Sequence, residues 1–394
     1  MKRANTIGIG LVAGWLGLSL TAAVEAQSKT ITVDCSPPPL THSAIAFGPP
    51  RELARALRIA RPGDTIRVSG TCEEQVTLPF GPLTIDGGGE GVIDGSGMDP
   101  GEGFNGLVTV DGVQGITLTG LTIRNSPDEG VLALRGANLR LENVLLENNG
   151  TGMLTSNAGA EIVDSEFRDN QGSGILSLAG TNLTFRGEVE SSGNGWIGAL
   201  LSDTNVEIIG GHVRMRDNGP TGIVLANSNL NFPVEGPLVP NTSLEATGNM
   251  GPGIFIATGQ LVIFGPQSPP GNTLIRSADN GGPGIIEVGQ GLFANPWAVA
   301  RVVLENNPVG MVVAENANVM NKGGLEISGN FGPGLVADAA GTIDLFGEAP
   351  SFIEGNGGPD VILEFGTRAT IKDVDVGLIV CDPTVLSRGT VVCP

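Results

Sequence analysis

An all-β solenoid, a stack of coils each made of two or three short parallel strands, is what this sequence predicts. Three observations carry the prediction. An Asn recurs at intervals near 24 residues, a Gly follows it three or four residues later, and 62 of the 394 residues are glycine, roughly twice the usual share. The Asn column runs Asn149, Asn170, Asn194, Asn218, Asn249, Asn280, Asn307, Asn330, Asn356, with Ser126 in its place one coil earlier. The Gly column runs Gly130, Gly152, Gly174, Gly198, Gly222, Gly253, Gly284, Gly310, Gly334, with Asp360 as the exception. Stacked Asn amides hydrogen-bond along a ladder, Asn tolerates left-handed backbone, and Gly suits a tight corner. Two steps of 31 residues mark loops inserted at one corner. About eleven coils fit, a rod roughly 50 Å long at the spacing of neighbouring strands. The glycines have no three-residue period, which excludes collagen.

The elements follow in order. Lys2 and Arg3 precede the apolar run Ile7 to Leu20, and Val24-Glu25-Ala26 offers small residues for cleavage. Residues 1–26 therefore read as a secretory signal peptide, the run being short of the roughly 20 residues a membrane span needs. The expected location is secreted, periplasmic or cell surface, with no transmembrane segment after cleavage. Residues 27–115 form an N-terminal cap and the first coils. Within them Leu53, Ala56, Leu57 and Ala60 make a helical stripe that Pro62-Gly63 ends, a short helix suited to covering the open first coil. Arg51, Arg55, Arg58 and Arg61 fall on its outer side. Residues 116–368 carry the repeats, and 369–394 close the rod. Cys35 with Cys72 and Cys381 with Cys393 sit at opposite ends. Ends about 50 Å apart leave these as the reasonable disulfide pairs, in an oxidising compartment.

Charge excludes whole classes of partner. With 41 acids against 21 bases the chain carries −20, which leaves no footprint for nucleic acid and repels anionic lipid.

With its Asn and Gly columns, the segment Ala60-Arg61-Pro62-Gly63-Asp64-Thr65-Ile66-Arg67-Val68-Ser69-Gly70-Thr71-Cys72 and the stretch Leu83-Thr84-Ile85-Asp86-Gly87-Gly88-Gly89, the chain resembles the right-handed parallel β-helix repeat proteins of the pectate-lyase-like superfamily. The resemblance spans about Arg51 to Cys393. It implies a right-handed β-helix and, in the superfamily's enzymes, action on acidic polysaccharides. Lyase chemistry needs a base near a carbonyl-bearing sugar and carboxylates for Ca²⁺. Arg140 with Glu142 and Glu161, then Arg168 with Asp169, are the best groupings, and ion pairing across coils explains them equally. Polygalacturonase-like hydrolysis needs paired aspartates, a His in a Gly-His-Gly setting and a distal Arg-Ile-Lys. Here His212 stands in Gly210-Gly211-His212-Val213 and no Arg-Ile-Lys occurs. Epimerase chemistry needs Asp-Pro-His-Asp, and His42 lies between Thr41 and Ser43. Each His reads as a surface residue at a corner.

No cofactor is expected, with Ca²⁺ the one candidate. Asp86, Asp94 and Asp99, with Glu90 and Glu102, lie among glycines, although their spacing is not that of a calcium repeat. Trp196 and Trp297, with no Tyr, leave few platforms for sugar rings.

Behind each corner Gly two apolar columns run side by side. The first is Val131, Met153, Ile175, Ala199, Ile223, Ile254, Ile285, Met311, Leu335, Val361; the second is Leu132, Leu154, Leu176, Leu200, Val224, Phe255, Ile286, Val312, Val336, Ile362. A third is mixed and contains Glu287. Alternate strand residues face opposite ways, so one apolar column points outward. It is either covered by the chain's own insertions, at 231–247 and 262–277, or an interface for a protein ligand or a second copy. The missing catalytic sets and this stripe together suggest a non-catalytic surface or binding scaffold. The alternative is a lyase, hydrolase or epimerase acting on acidic polysaccharides.

Overall fold

A computed structural model describes residues 28–36, 52–99, 105–233, 241–263, 273–389 and 393. The signal-peptide segment, Arg51, His42 and Glu102 lie outside these residues. So do 234–240 and 264–272, the middles of the two insertions.

The described chain winds as a parallel β-solenoid. Thirteen strands from Val76–Leu78 to Ile379–Cys381 form one parallel sheet, the apolar sheet below, and 24 others form a second parallel system. Thirteen exceeds the expected eleven because coils without a ladder Asn occur at both ends, at Val76–Leu78 and Ile379–Cys381. Within the second system, left-handed residues at Asn143, Asp164, Gly187 and Gly210 turn the strands through a corner. Each coil therefore has three faces around one core.

The first apolar column is the inward one: Val131, Met153, Ile175, Ile223 and Leu335 are fully buried. Phe167, Phe185 and Phe293 are the largest side chains packed inside the rod.

The Asn column forms the expected ladder. Each amide Nδ2 and each backbone N–H donates to the Oδ1 of the next coil's Asn, as from Asn170 to Asn194 at 2.9 and 3.1 Å. Ser126 starts it by donating its N–H to Asn149. Asp360 ends it, its Oδ1 accepting from both Asn356 nitrogens and its Oδ2 from the Leu378 N–H. The exception in the Gly column is thus the ladder's terminal acceptor.

The structure changes the reason for both columns. Left-handed backbone falls one residue before the ladder, at Asn148, Asp169, Asp217, Asp279 and Asn306. The corner glycines need space, not a special φ. A Cβ at Gly152 would lie 2.5 Å from the Gly174 carbonyl and 3.1 Å from the Asn170 amide.

Among the described residues a single helix, α1 (Glu52–Ile59), closes the first coil with Leu53, Ala56 and Leu57 buried. The buried Glu74 carboxylate accepts its first N–H groups, from Leu53 at 2.7 Å and Ala54 at 3.0 Å, placing negative charge at the helix's positive end. Disulfides Cys35–Cys72 and Cys381–Cys393 join each end.

Candidate functional site

The face that follows the apolar sheet in each coil is the most regular polar surface of the rod. In the first coils its strands alternate between core and solvent. Leu139, Leu141, Leu183, Phe185, Val206 and Ile208 point in, while Arg140, Thr184 and Glu207 point out. Their first outward column stacks Asn138, Asn182, Asn205, Asn229, Gln260 and Asn318 in register along the axis, with Gly159 and Leu292 between them. All six amides are exposed. Side-chain amides present both donors and acceptors without charge, which suits hydroxyl-rich ligands.

A hollow of about 500 Å³ opens on this face, lined by Gln260, Gln290, Leu292, Asn318, Met320 and Asp344 among others. Among the described residues Asp344 is the one carboxylate in its wall. Trp297, 53 % exposed, stands on the turn that leaves the strand Leu292–Asn295. This row was in the sequence as an Asn or Gln directly after a small residue (Ala137, Thr181, Thr204, Ser228, Gly259, Ala317), but it meant nothing until that column was known to face out.

The five candidate residues do not form one group. Arg140 donates to Glu142 at 3.0 Å and to Glu161, and Glu161 also accepts from Arg186 at 2.8 Å. These lie on the amide face. Arg168 lies on the next face, clamped by Glu147 at 2.8 Å and Glu166 at 3.4 Å. Asp169 is a left-handed corner residue beside Gly193. The hydrogen bond to Glu142, reinforced by Glu161, holds the Arg140 guanidinium even more firmly protonated, and Glu147 does the same for Arg168. A general base must give up its proton to act, so this pairing opposes that role for both.

His212 sits within a strand just after the Gly210-Gly211 corner, in register with Glu188 and Ser243. Its Nδ1 is 2.8 Å from the Ser243 Oγ, and its Nε2 is 3.9 Å from Glu188. Ser243 in turn donates to Glu245 at 3.2 Å, and its side chain is buried. The expectation of a corner position is corrected: the corner is the Gly pair, and the imidazole is half-buried among the charged ladders.

The acidic turns do not converge. Asp86 pairs with Arg67 at 3.1 Å and accepts the Gly88 N–H. Asp94 pairs with Arg124 at 2.8 Å and Asn125 at 3.0 Å. Burial resists ionisation of Asp94, but hydrogen bonds from Ser96, Arg124 and Asn125 outweigh it and hold the carboxyl below its ordinary range. Asp99 is exposed. Among the described residues, the group with ligand atoms close enough to share an ion is Cys35, Cys72 and Glu74, and those sulfurs are bonded to each other.

The second apolar column is the outward one. Leu132 and Leu154 are buried, so the stripe is closed at that end; Gly106 lies directly on Leu132. From Leu176 through Leu200, Val224, Phe255, Ile286, Val312, Val336 and Ile362 it is half-buried, and Val380 continues it.

Residues 105–264 match the family described as "Right handed beta helix region". The fold of the chain is a right-handed parallel β-helix. This β-helix protein is 28 % identical over 234 residues to the probable endopolygalacturonase I of Aspergillus flavus and equally to the endopolygalacturonase I of Aspergillus oryzae. Those alignments take in 52 % of this chain and 62 % of each relative. The chain thus spans under two thirds of the length of the curated relatives it matches. Among solved structures, the A-module of a mannuronan C-5 epimerase of Azotobacter vinelandii aligns with a TM-score of 0.44 at 12 % identity, over 86 % of this chain and 94 % of that one. The pectate lyase Pel9A aligns with a TM-score of 0.31 at 12 % identity, over 82 % and 78 %.

Proposed function

We propose that this β-helix protein is extracellular and acts on a polysaccharide laid along its amide-lined face. The observation that carries the reading is the column of six exposed side-chain amides leading into the hollow that Asp344 lines. A polymer of hydroxyl-bearing units meets a repeating row of neutral donors and acceptors there. The two disulfides favour an oxidising compartment. The endopolygalacturonase relatives favour action on a polysaccharide over a purely non-catalytic scaffold.

Of the reactions open to such a protein, hydrolysis fits better than a lyase step that uses Arg140 or Arg168 as base, since both guanidiniums are held protonated by carboxylates. Asp344 is the residue we assign to one half of the acid–base work, as the general acid at the leaving-group oxygen; the second carboxylate that such hydrolysis uses has no counterpart among the described residues of the wall. The test is product analysis on polygalacturonate, alginate and neutral glucans, following new reducing ends and unsaturated uronate absorbance together. Reducing ends without unsaturation, reduced at least about a hundredfold in Asp344→Asn, support the assignment. Unsaturated ends, or full activity in Asp344→Asn, would overturn it.

A further inference from the structure

We propose that the apolar sheet is a self-association surface on which a second copy of this chain docks face to face about a two-fold axis. The outward row from Leu176 to Val380 holds nine apolar side chains and no charge. The parallel outward row beside it is small or apolar at Leu178, Ser202, Ala226, Ala257, Val288 and Ala314, with acids confined to its far end at Asp338, Glu364 and Asp382.

Exposed bulk concentrates in the same place. Large apolar side chains stand out at Met250 (79 % exposed) and Phe331 (74 %) on the corner leading into this sheet, and at Leu378 (61 %) on its last connection. Met250 and Phe331 occupy the position directly after the ladder Asn, which Gly195, Gly219, Gly281 and Gly357 fill in other coils. A large apolar group there does nothing for the turn itself. Desolvated aromatic and Met anchors at the edge of an apolar patch are what an association surface uses.

The choice of a second copy rests on pitch and area. Side chains in this row repeat every ~4.8 Å along the axis, and a partner that interdigitates with all of them must repeat equally. Another copy of the same solenoid does so without adjustment. The row is about 40 Å long and, with its neighbour, about 12 Å wide. Each copy therefore offers roughly 500 Å² before the rim residues are added, and the pair reaches the ~1,000 Å² that a specific interface needs. A two-fold arrangement is closed and self-complementary, whereas a translated one would leave half of each face unpaired. Ile286 is the fifth of the nine residues, so the axis passes beside it.

Sedimentation and light scattering on the purified protein test this, with the double variant Val224→Lys/Val312→Lys and, separately, Ile286→Cys under mild oxidation. The expected results are a wild-type dimer, a monomeric double variant that keeps the wild-type circular dichroism and melting profile, and an Ile286→Cys dimer linked by a disulfide. The lysines are expected to weaken the dimer by at least about tenfold. A monomeric wild type across the micromolar range would overturn the proposal, including one that instead adsorbs to phenyl matrix or neutral vesicles. A folded double variant that remains dimeric, or an Ile286→Cys protein that does not cross-link as a dimer, would overturn it as well.

Discussion

Replacing Glu287 should make the protein more stable and remove part of its pH dependence. Glu287 is fully buried in the inward column, between Ile256 and Val313 of the adjoining coils, and neither carboxylate oxygen has a hydrogen-bond partner. Burial drives its carboxyl well above the ordinary value of 4.5; the Phe293 N–H opposes this from outside hydrogen-bonding geometry. The folded state therefore keeps a proton that the unfolded chain releases. The stability associated with that proton is fully present below 4.5 and is lost as pH rises toward the folded value. Glu287→Gln removes the titration. Glu287→Leu also removes the unpartnered polar atoms, which cost about 1–3 kcal/mol each time such a group is buried. For a chain of this length, unfolding entropy near 2 cal/mol/K per residue converts that gain to roughly 1–4 °C. Calorimetry from pH 5 to 8 is the assay. Glu287→Leu should melt higher, and the gap between either variant and wild type should widen with rising pH. A gap that is constant with pH, or a destabilised Glu287→Leu, would refute the reasoning.

Three further outcomes follow from the packing. Asn218→Ala removes four buried side-chain hydrogen bonds, to Ser191, Asn249 and both Asn194 nitrogens, so it should cost about 4 kcal/mol; hydrogen exchange should show the loss centred on its own coil. Reducing Cys35–Cys72, which closes 37 residues, should cost about 4 kcal/mol by loop entropy and free the N-terminal cap to limited proteolysis before the rest of the rod. Arg140→Ala breaks half-exposed pairs with Glu142 and Glu161, so urea unfolding should shift by under about 1 kcal/mol, and turnover should change by less than about tenfold.

The fold was legible because its determinants are local and periodic. One Asn per coil announces the ladder, and Leu53, Ala56 and Leu57 announce α1. What the letters conceal is direction. Gly152 and Gly198 look like turn glycines, yet a side chain there would collide with the next coil's Asn170 or Asn218, 18 and 20 residues away. Asp169 looks like half of an acid–base pair with Arg168, but the left-handed corner sends it elsewhere. The two apolar columns are equivalent on paper, and only closure of the coil decides that Val131 goes in while Leu176 stays out. Glu287 and the amide row share this difficulty: a carboxylate in the core and an Asn on the surface become meaningful only once their column has a face. The site is less legible than the fold because it is assembled across coils. Gln260, Gln290, Asn318 and Asp344 span 85 residues of sequence around one hollow.

The central claim is that a polysaccharide lies along the amide row, and binding to that row tests it most directly. Calorimetric titration of polygalacturonate, alginate and a neutral glucan into wild type and into Asn229→Ala/Asn318→Ala is the measurement. The account predicts saturable binding of at least one polymer, weakened about tenfold or more by losing two amides at about 1 kcal/mol each. Binding that the double substitution leaves intact, or none to any polymer, would contradict it.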